Sequence, residues 1–206
     1  IADRSIERKK FKTESIEFTS DILSVLDSDC DLVVELIGGT DLAYDLVRGA
    51  ISKKKSVITA NKALIAEKGD DLFELSNKQN SYIGYEASVA GAIPVISSLT
   101  HNMLNENIIS ISGIINGTSN YILDQMSSEK KSFKEALNNA QDLGYAEADP
   151  SFDIGGFDAA HKISILANIA FDIKSPYKNM YIEGIDSIES MDIDYANELG
   201  YKIKHI

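Results

Sequence analysis

Apolar and polar positions change period several times along the chain. Asp31-Leu-Val-Val-Glu-Leu-Ile37 is an apolar, β-branched run closed by Gly38-Gly39, the pattern of a buried strand ended by a turn. The period then lengthens. Leu42, Ala43, Leu46, Val47, Ala50 and Ile51 recur at helical spacing across residues 41–54, and residues 56–59 read as a strand again. This is a βαβ unit. Upstream, residues 16–18 read as a short strand and 20–26 as a helix. Downstream, 63–79 reads as a helix in two pieces broken at Gly69, followed by a strand over 81–85. Strands alternating with helices predict a mostly parallel, doubly wound α/β sheet.

Between Glu86 and Pro94 the residues become small, Glu-Ala-Ser-Val-Ala-Gly-Ala-Ile-Pro. That shift marks a domain boundary, with one domain over 1–88 and a second over 89–206. In the second, 107–115 is a β-branched run, Ser132-Phe-Lys-Glu135 is a capping box opening a helix that ends near Gly144, and 158–171 is another helix. Residues 181–185 and 201–206 read as strands around a short helix at 193–199, which makes this half α+β.

Composition narrows the function classes. Against 20 Lys plus Arg stand 32 Asp plus Glu, a formal charge of −12 and a pI of about 4.6. This balance excludes the basic face that nucleic-acid phosphates or an anionic membrane require. The apolar stretches near 87–99 and 163–171 fall short of the roughly 20 residues of a membrane-spanning helix. A hydrophobic fraction of 44 % with 25 % charged residues is that of a packed globular chain. One cysteine, Cys30, and three histidines allow neither an internal disulfide nor a Cys/His zinc set, so a reducing cytoplasm is expected. The chain opens at Ile1 with no signal sequence, which suggests that a segment preceded it.

The candidate chemistry concentrates in an acidic interval. Between Lys134 and Lys162 lie Glu135, Asp142, Glu147, Asp149, Asp153 and Asp158, with no Lys or Arg. A solvated acidic loop is the plain reading. The helix that follows adds more. On a wheel of about 100° per residue, His161, Ser164 and Asn168 share one polar wedge, which predicts a solvent face with His161 on the surface. Lys162 and Asp158 fall instead among Ile165, Leu166 and Ile169. A lysine among aliphatic side chains, with a carboxylate four residues back to hold its charge and direction, suits proton donation. The competing reading is a lysine snorkelling beside an ordinary i,i+4 aspartate.

In the first half, Gly38-Gly39-Thr40 follows a strand and opens a helix, where a doubly wound fold offers backbone N–H groups to a nucleotide. Lys62 follows the next strand at the same end of the sheet. Its alternative is an ordinary lysine at a helix start. Arg4, at the end of the chain's first strand, suits an anionic group such as a 2′-phosphate. Asn116-Gly-Thr118 fits a glycosylation sequon, which a cytoplasmic protein does not use.

Taken together, Val33-Val-Glu-Leu-Ile-Gly-Gly39 with Thr59-Ala-Asn-Lys-Ala63, Tyr85 through Pro94, Ile114-Ile-Asn-Gly-Thr-Ser-Asn-Tyr-Ile122, Gly144-Tyr-Ala-Glu-Ala-Asp-Pro150 and Asp158-Ala-Ala-His-Lys162 closely resemble the homoserine dehydrogenases, in that family's order over nearly all of the chain. The resemblance implies an oxidoreductase that interconverts L-aspartate 4-semialdehyde and L-homoserine with NADPH or NADH, on the route to threonine, methionine and isoleucine. It implies Lys162 as proton donor with Asp158 as its paired acid, Glu147 and Asp153 as contacts to the substrate, and Lys62 as a contact to substrate and cofactor. It further implies Gly39, Thr40 and Arg4 as cofactor contacts, and Glu86 with the carbonyls of Val89, Gly91 and Ile93 as a sodium site, for which a tight interdomain turn is the plain alternative. The family also implies a homodimer formed through the second domain's sheet, with 108–115 as one of its strands.

The sequence departs from the family pattern at its start, where no Gly-x-Gly-x-x-Gly loop precedes the second strand. An incomplete Rossmann-like nucleotide-binding domain followed by an α+β catalytic and dimerisation domain is therefore expected, as a fragment of a longer polypeptide that is inactive on its own. The alternative class is a non-catalytic, cation-binding or dimer-forming module on the same scaffold.

Overall fold

A computed structural model describes residues 1–5, 16–103 and 106–206. The chain forms two compact units, Ile1–Asn102 and Met103–Ile206.

The first unit is built on three parallel strands in the order β1 (Leu32–Glu35), β2 (Ser56–Thr59) and β3 (Ile83–Gly84). Val33 pairs with Val57 and Glu35 with Thr59, while Val57 pairs with Ile83 on its other side. Helix α1 (Asp41–Ser52) connects the first pair, buries Ala43, Leu46, Val47, Ala50 and Ile51, and packs on both strands. The helical spacing in the sequence therefore names its inner face correctly. β1 is shorter than the predicted run and buries only alternate residues, since Leu32 and Val34 face away from the helices and stay exposed.

Helix α2 (Lys62–Gln79) is continuous, not broken at Gly69. A mid-helix glycine costs only about 1 kcal/mol relative to alanine, and this one is buried where an added Cβ would meet the Phe73 ring at 3.2 Å. Near the start of the chain, among the described residues, an isolated parallel bridge joins Ala2 to Thr19 in place of the strand expected over 16–18. The helix expected over 20–26 is a 3₁₀ turn, Ile22–Asp27, capped by Asp21. After β3 come one turn, α3 (Val95–Ser97), and a π-type turn, Ser98–Asn102.

The second unit is helical. Helices α4 (Gly117–Ser128), α5 (Phe133–Asp142), α6 (Ser151–Ile154), α7 (Phe157–Phe171) and α8 (Ser190–Glu198) follow in order. The core gathers Ile122, Leu123 and Met126 of α4 with Ala136 and Ala140 of α5 and Ile193 of α8. The predicted capping box is present, with the Glu135 N–H donating to Ser132 and the Ser132 N–H donating to Glu135. Residues 107–115, 181–185 and 201–206, read as strands, carry no ladder among the described residues. A strand needs a hydrogen-bonded neighbour and a covered face, whereas Ile109, Tyr181 and Tyr201 lie in solvent. No helix among the described residues is long and apolar enough to cross a membrane.

Candidate functional site

A cavity of about 440 Å³ opens in the second unit, lined by Asn116, Gly117, Thr118, Tyr121, Tyr145, Asp153, Asp158 and Lys162. Its polar side is built where α6 turns into α7. Gly156 makes that turn with φ +85°, and an added Cβ there would meet the Glu183 carbonyl at 2.9 Å. Only glycine enters α7 this way without strain.

In the first two turns of α7 stand the two residues that the sequence singles out. Lys162 Nζ lies 2.6 Å from Asp158 Oδ2, and it also donates to the Ile115 carbonyl at 2.8 Å. Exposure of the lysine side chain is 20 %, and of the aspartate 5 %. An ion pair so far withdrawn from water interacts more strongly than a surface pair. Two of the three ammonium N–H bonds are engaged in this way, which leaves one for a ligand oxygen in the cavity.

Asp158 has a second donor. Asn116 Nδ2 donates to Asp158 Oδ2 and to Asp153 Oδ1, both at 2.8 Å, while Asn116 Oδ1 accepts the Ser119 N–H at 2.7 Å and caps α4. Asp153 is held further by its main chain, whose carbonyl accepts from Ser119 Oγ at 3.1 Å. On the opposite side, Thr118 Oγ1 donates to the Tyr145 carbonyl at 2.7 Å, and the Tyr121 and Tyr145 rings meet with centroids 5.0 Å apart.

Glu147 does not line this cavity. It is exposed on the loop between α5 and α6, where Gln141 Nε2 donates to its carbonyl at 3.0 Å. On the same loop, the Ser151 hydroxyl and N–H hold the Asp149 carboxyl below the usual carboxylate range. His161 is not on the surface. It is 2 % exposed, with its ring 4.3 Å from that of Tyr177 and 5.3 Å from that of Phe152. A helical wheel shows which residues share a face, not what covers it. Here α6 and the 3₁₀ turn Pro176–Asn179 cover the polar wedge, and Ser164 is buried with it.

In the first unit, Gly38 and Gly39 both take left-handed backbone, with φ +71° and +70°, in the loop between β1 and α1. That loop is tied down by Glu35, which is fully buried. Glu35 Oε1 accepts the N–H groups of Ile37 at 2.8 Å and Gly38 at 3.2 Å, and Oε2 accepts the Thr59 hydroxyl at 2.5 Å. Thr59 Oγ1 accepts the Asn61 N–H at 2.9 Å. Asn61 in turn caps α2 at Leu64 and donates to the Gly39 carbonyl at 2.7 Å. The chain of bonds therefore joins the glycine loop to the start of α2, where Lys62 is the first residue. Thr40 sits at the start of α1 without a side-chain cap bond. Arg4 and Gly38 share the wall of a groove of about 820 Å³ that runs along β1.

Both Glu86 carboxylate oxygens accept main-chain N–H groups, from Ile96 and Ser97, each at 2.9 Å. Between them the chain turns sharply, with Ala90 and Ala92 in left-handed backbone, and the Ile93 carbonyl accepts the Val95 N–H at 2.8 Å. Among the described residues no group of three or more His, Cys, Asp or Glu side chains could hold a metal ion. An ion at this turn would be held chiefly by carbonyls. An all-oxygen set of Glu86 with the carbonyls of Val89, Gly91 and Ile93 fits a hard cation in its donor chemistry.

Sequence reasoning gives no role to Asn116, Glu35 or Asn61. A signal existed for each: a glutamate inside an apolar strand must find partners, and an Asn before a helix is a capping residue.

Comparison with known proteins places these features in a family. The family model described as "Homoserine dehydrogenase" matches residues 94–206, and that described as "Homoserine dehydrogenase, NAD binding domain" matches residues 1–86. The chain is 47 % identical over 205 residues to a homoserine dehydrogenase of Neisseria gonorrhoeae, covering 99 % of this chain and 47 % of that protein. It superposes with a TM-score of 0.89 on the crystal structure of a homoserine dehydrogenase from Thiobacillus denitrificans, at 46 % identity, over 92 % of this chain and 44 % of the other. A hyperthermophilic archaeal homoserine dehydrogenase in complex with NADPH matches with a TM-score of 0.68 and 31 % identity, over 78 % of this chain and 49 % of that one. The chain spans about half the length of the curated relatives it matches.

Proposed function

The chain belongs to the homoserine dehydrogenase family, and from that premise we propose that it carries the proton-transfer and substrate-binding centre of an NAD(P)-dependent oxidoreductase interconverting L-aspartate 4-semialdehyde and L-homoserine, on the route to threonine, methionine and isoleucine. The observation that carries this reading is the Asp158–Lys162 pair, sheltered from water at the wall of a cavity large enough for a four-carbon amino acid.

In the reducing direction the nicotinamide, when bound, would supply the hydride that the aldehyde carbon accepts. As that carbon–oxygen π pair moves onto oxygen, Lys162 gives a proton from Nζ to it, and the alcohol forms; in the oxidising direction the neutral amine takes the proton back. Asp158 and the Ile115 carbonyl hold Nζ in place, so the lysine reaches the oxygen without searching rotamers. Asp153, on the cavity wall, binds the substrate's ammonium group by charge, and Glu147, exposed on the loop between α5 and α6, is assigned to the same group by the family resemblance. Lys62 binds cofactor and substrate, Gly39 and Thr40 offer main-chain N–H groups to the cofactor, and Arg4 pairs with the 2′-phosphate of NADPH.

A sodium ion is proposed on Glu86 and the carbonyls of Val89, Gly91 and Ile93, an all-oxygen donor set that suits a hard cation. The family's homodimer and a cytoplasmic location complete the reading. Its test is the oxidation of homoserine followed by nicotinamide absorbance, in the longest natural polypeptide that carries these 206 residues. Homoserine-dependent reduction of NADP or NAD is expected, and a folded protein that reduces neither would overturn it.

A further inference from the structure

We infer that Asn116 is a positioning residue for proton transfer, holding Asp158 and Asp153 in one arrangement through the two N–H bonds of a single amide. The inference rests on the reading of Asp158 and Lys162 given above and adds a residue to it.

The donor count carries the argument. Asn116 is 4 % exposed, so its amide needs protein partners. Its two N–H bonds go one to each carboxylate, and its oxygen takes the Ser119 N–H. All three specific interactions of the side chain are made inside the site. Asp158 Oδ2 thereby receives the Asn116 amide on one side and the Lys162 ammonium, at 2.6 Å, on the other. The carboxylate is clamped between two donors on different elements, one at the start of α4 and one on α7. Asp153, from α6, shares the same nitrogen.

Two carboxylates brought this close repel each other, and a donor aimed at both offsets that repulsion. The other polar groups on the cavity wall, the Thr118, Tyr121 and Tyr145 hydroxyls, belong to residues that cannot supply two N–H donors and one acceptor at once. Without the amide, Asp158 loses a donor that helps to fix its rotamer, and Lys162 follows its movement.

A capping role alone would be met equally well by other residues, which makes the two roles separable. Asn116→Asp and Asn116→Ser keep an oxygen for the Ser119 N–H, because Asp and Ser cap helices about as well as Asn, but neither can donate to both carboxylates. The variants are made in the longest natural polypeptide carrying this chain and assayed for homoserine oxidation beside Lys162→Ala. Positioning predicts that kcat falls about 10²-fold in both variants, with KM for the nicotinamide cofactor unchanged, while Asn116→Ser unfolds near the wild-type temperature and Asn116→Asp, which sets a third carboxylate beside Asp153 and Asp158, unfolds lower. Wild-type kcat in both would overturn the inference and leave Asn116 as a cap. If Lys162→Ala turns over like the wild type, the proton-donor reading has failed instead. Crystal structures of the Asn116 variants then decide: Asp158 turned away from Lys162 supports the clamp, and an unchanged 2.6 Å contact overturns it.

Discussion

Lys162 stands one helical turn beyond Asp158 on α7, and its Nζ lies 2.6 Å from Asp158 Oδ2 with the aspartate almost wholly buried. The pair is thus a unit whose halves cannot be removed independently. In Asp158→Asn the lysine loses its counter-ion but keeps the Ile115 carbonyl and some contact with water. We expect a loss of about 1–3 kcal/mol, less than for a fully buried pair, read as a lower urea midpoint at neutral pH with an unchanged slope.

Glu35 makes a second test possible, away from the cavity. Its carboxylate accepts from two loop amides and from Thr59. Glu35→Gln replaces one acceptor oxygen by a donor and leaves a buried group mismatched. The expected cost is about 1–3 kcal/mol, together with a raised KM for the nicotinamide cofactor, because the loop of Gly38 and Gly39 loses its anchor. Thermal unfolding and cofactor-dependent initial rates check the two effects separately.

Much of this arrangement is legible in the sequence. The spacing of Leu46, Val47, Ala50 and Ile51 identifies the buried face of α1, and the i,i+4 relation of Asp158 and Lys162 among aliphatic residues already points to the pair. What periodicity lacks is the identity of the covering element. His161 lies in the polar wedge of its helix, yet Phe152 and Tyr177, which belong to other elements, enclose it. Residues 107–115 have the composition of a strand, but composition does not supply a neighbour for it to pair with. Asn116 and Glu35 act through partners far along the chain, 42 positions away for Asn116 and Asp158 and 24 for Glu35 and Thr59. Such links are invisible to any local pattern.

The capping box at the start of α5 carries a pH signature. The Ser132 hydroxyl, and then its N–H, hold the Glu135 carboxyl below its ordinary value. A carboxylate whose folded value is depressed contributes stability above its unfolded value, and that contribution fades as pH falls through the folded one. Wild type should therefore exceed Glu135→Gln in stability by a constant margin from neutral pH down to about pH 5, with the margin shrinking below about pH 4. Chemical unfolding of both proteins across that range measures it.

Gly156 sets the entry into α7. A side chain there must adopt left-handed backbone and push against the Glu183 carbonyl, so Gly156→Ala should cost about 1–3 kcal/mol and lower turnover by displacing Asp158 and Lys162 together. Unfolding midpoints and kcat measured on the same preparation test the link between the two.

The most direct test of proton donation by Lys162 is the turnover of Lys162→Ala against wild type, measured as homoserine-dependent reduction of NADP in the longest natural polypeptide that carries this chain. The expected result is a fall in kcat of about 10²- to 10⁴-fold, with the protein folded and its affinity for the nicotinamide cofactor retained. Turnover equal to wild type would contradict the account and remove the Asp158–Lys162 pair from the chemistry.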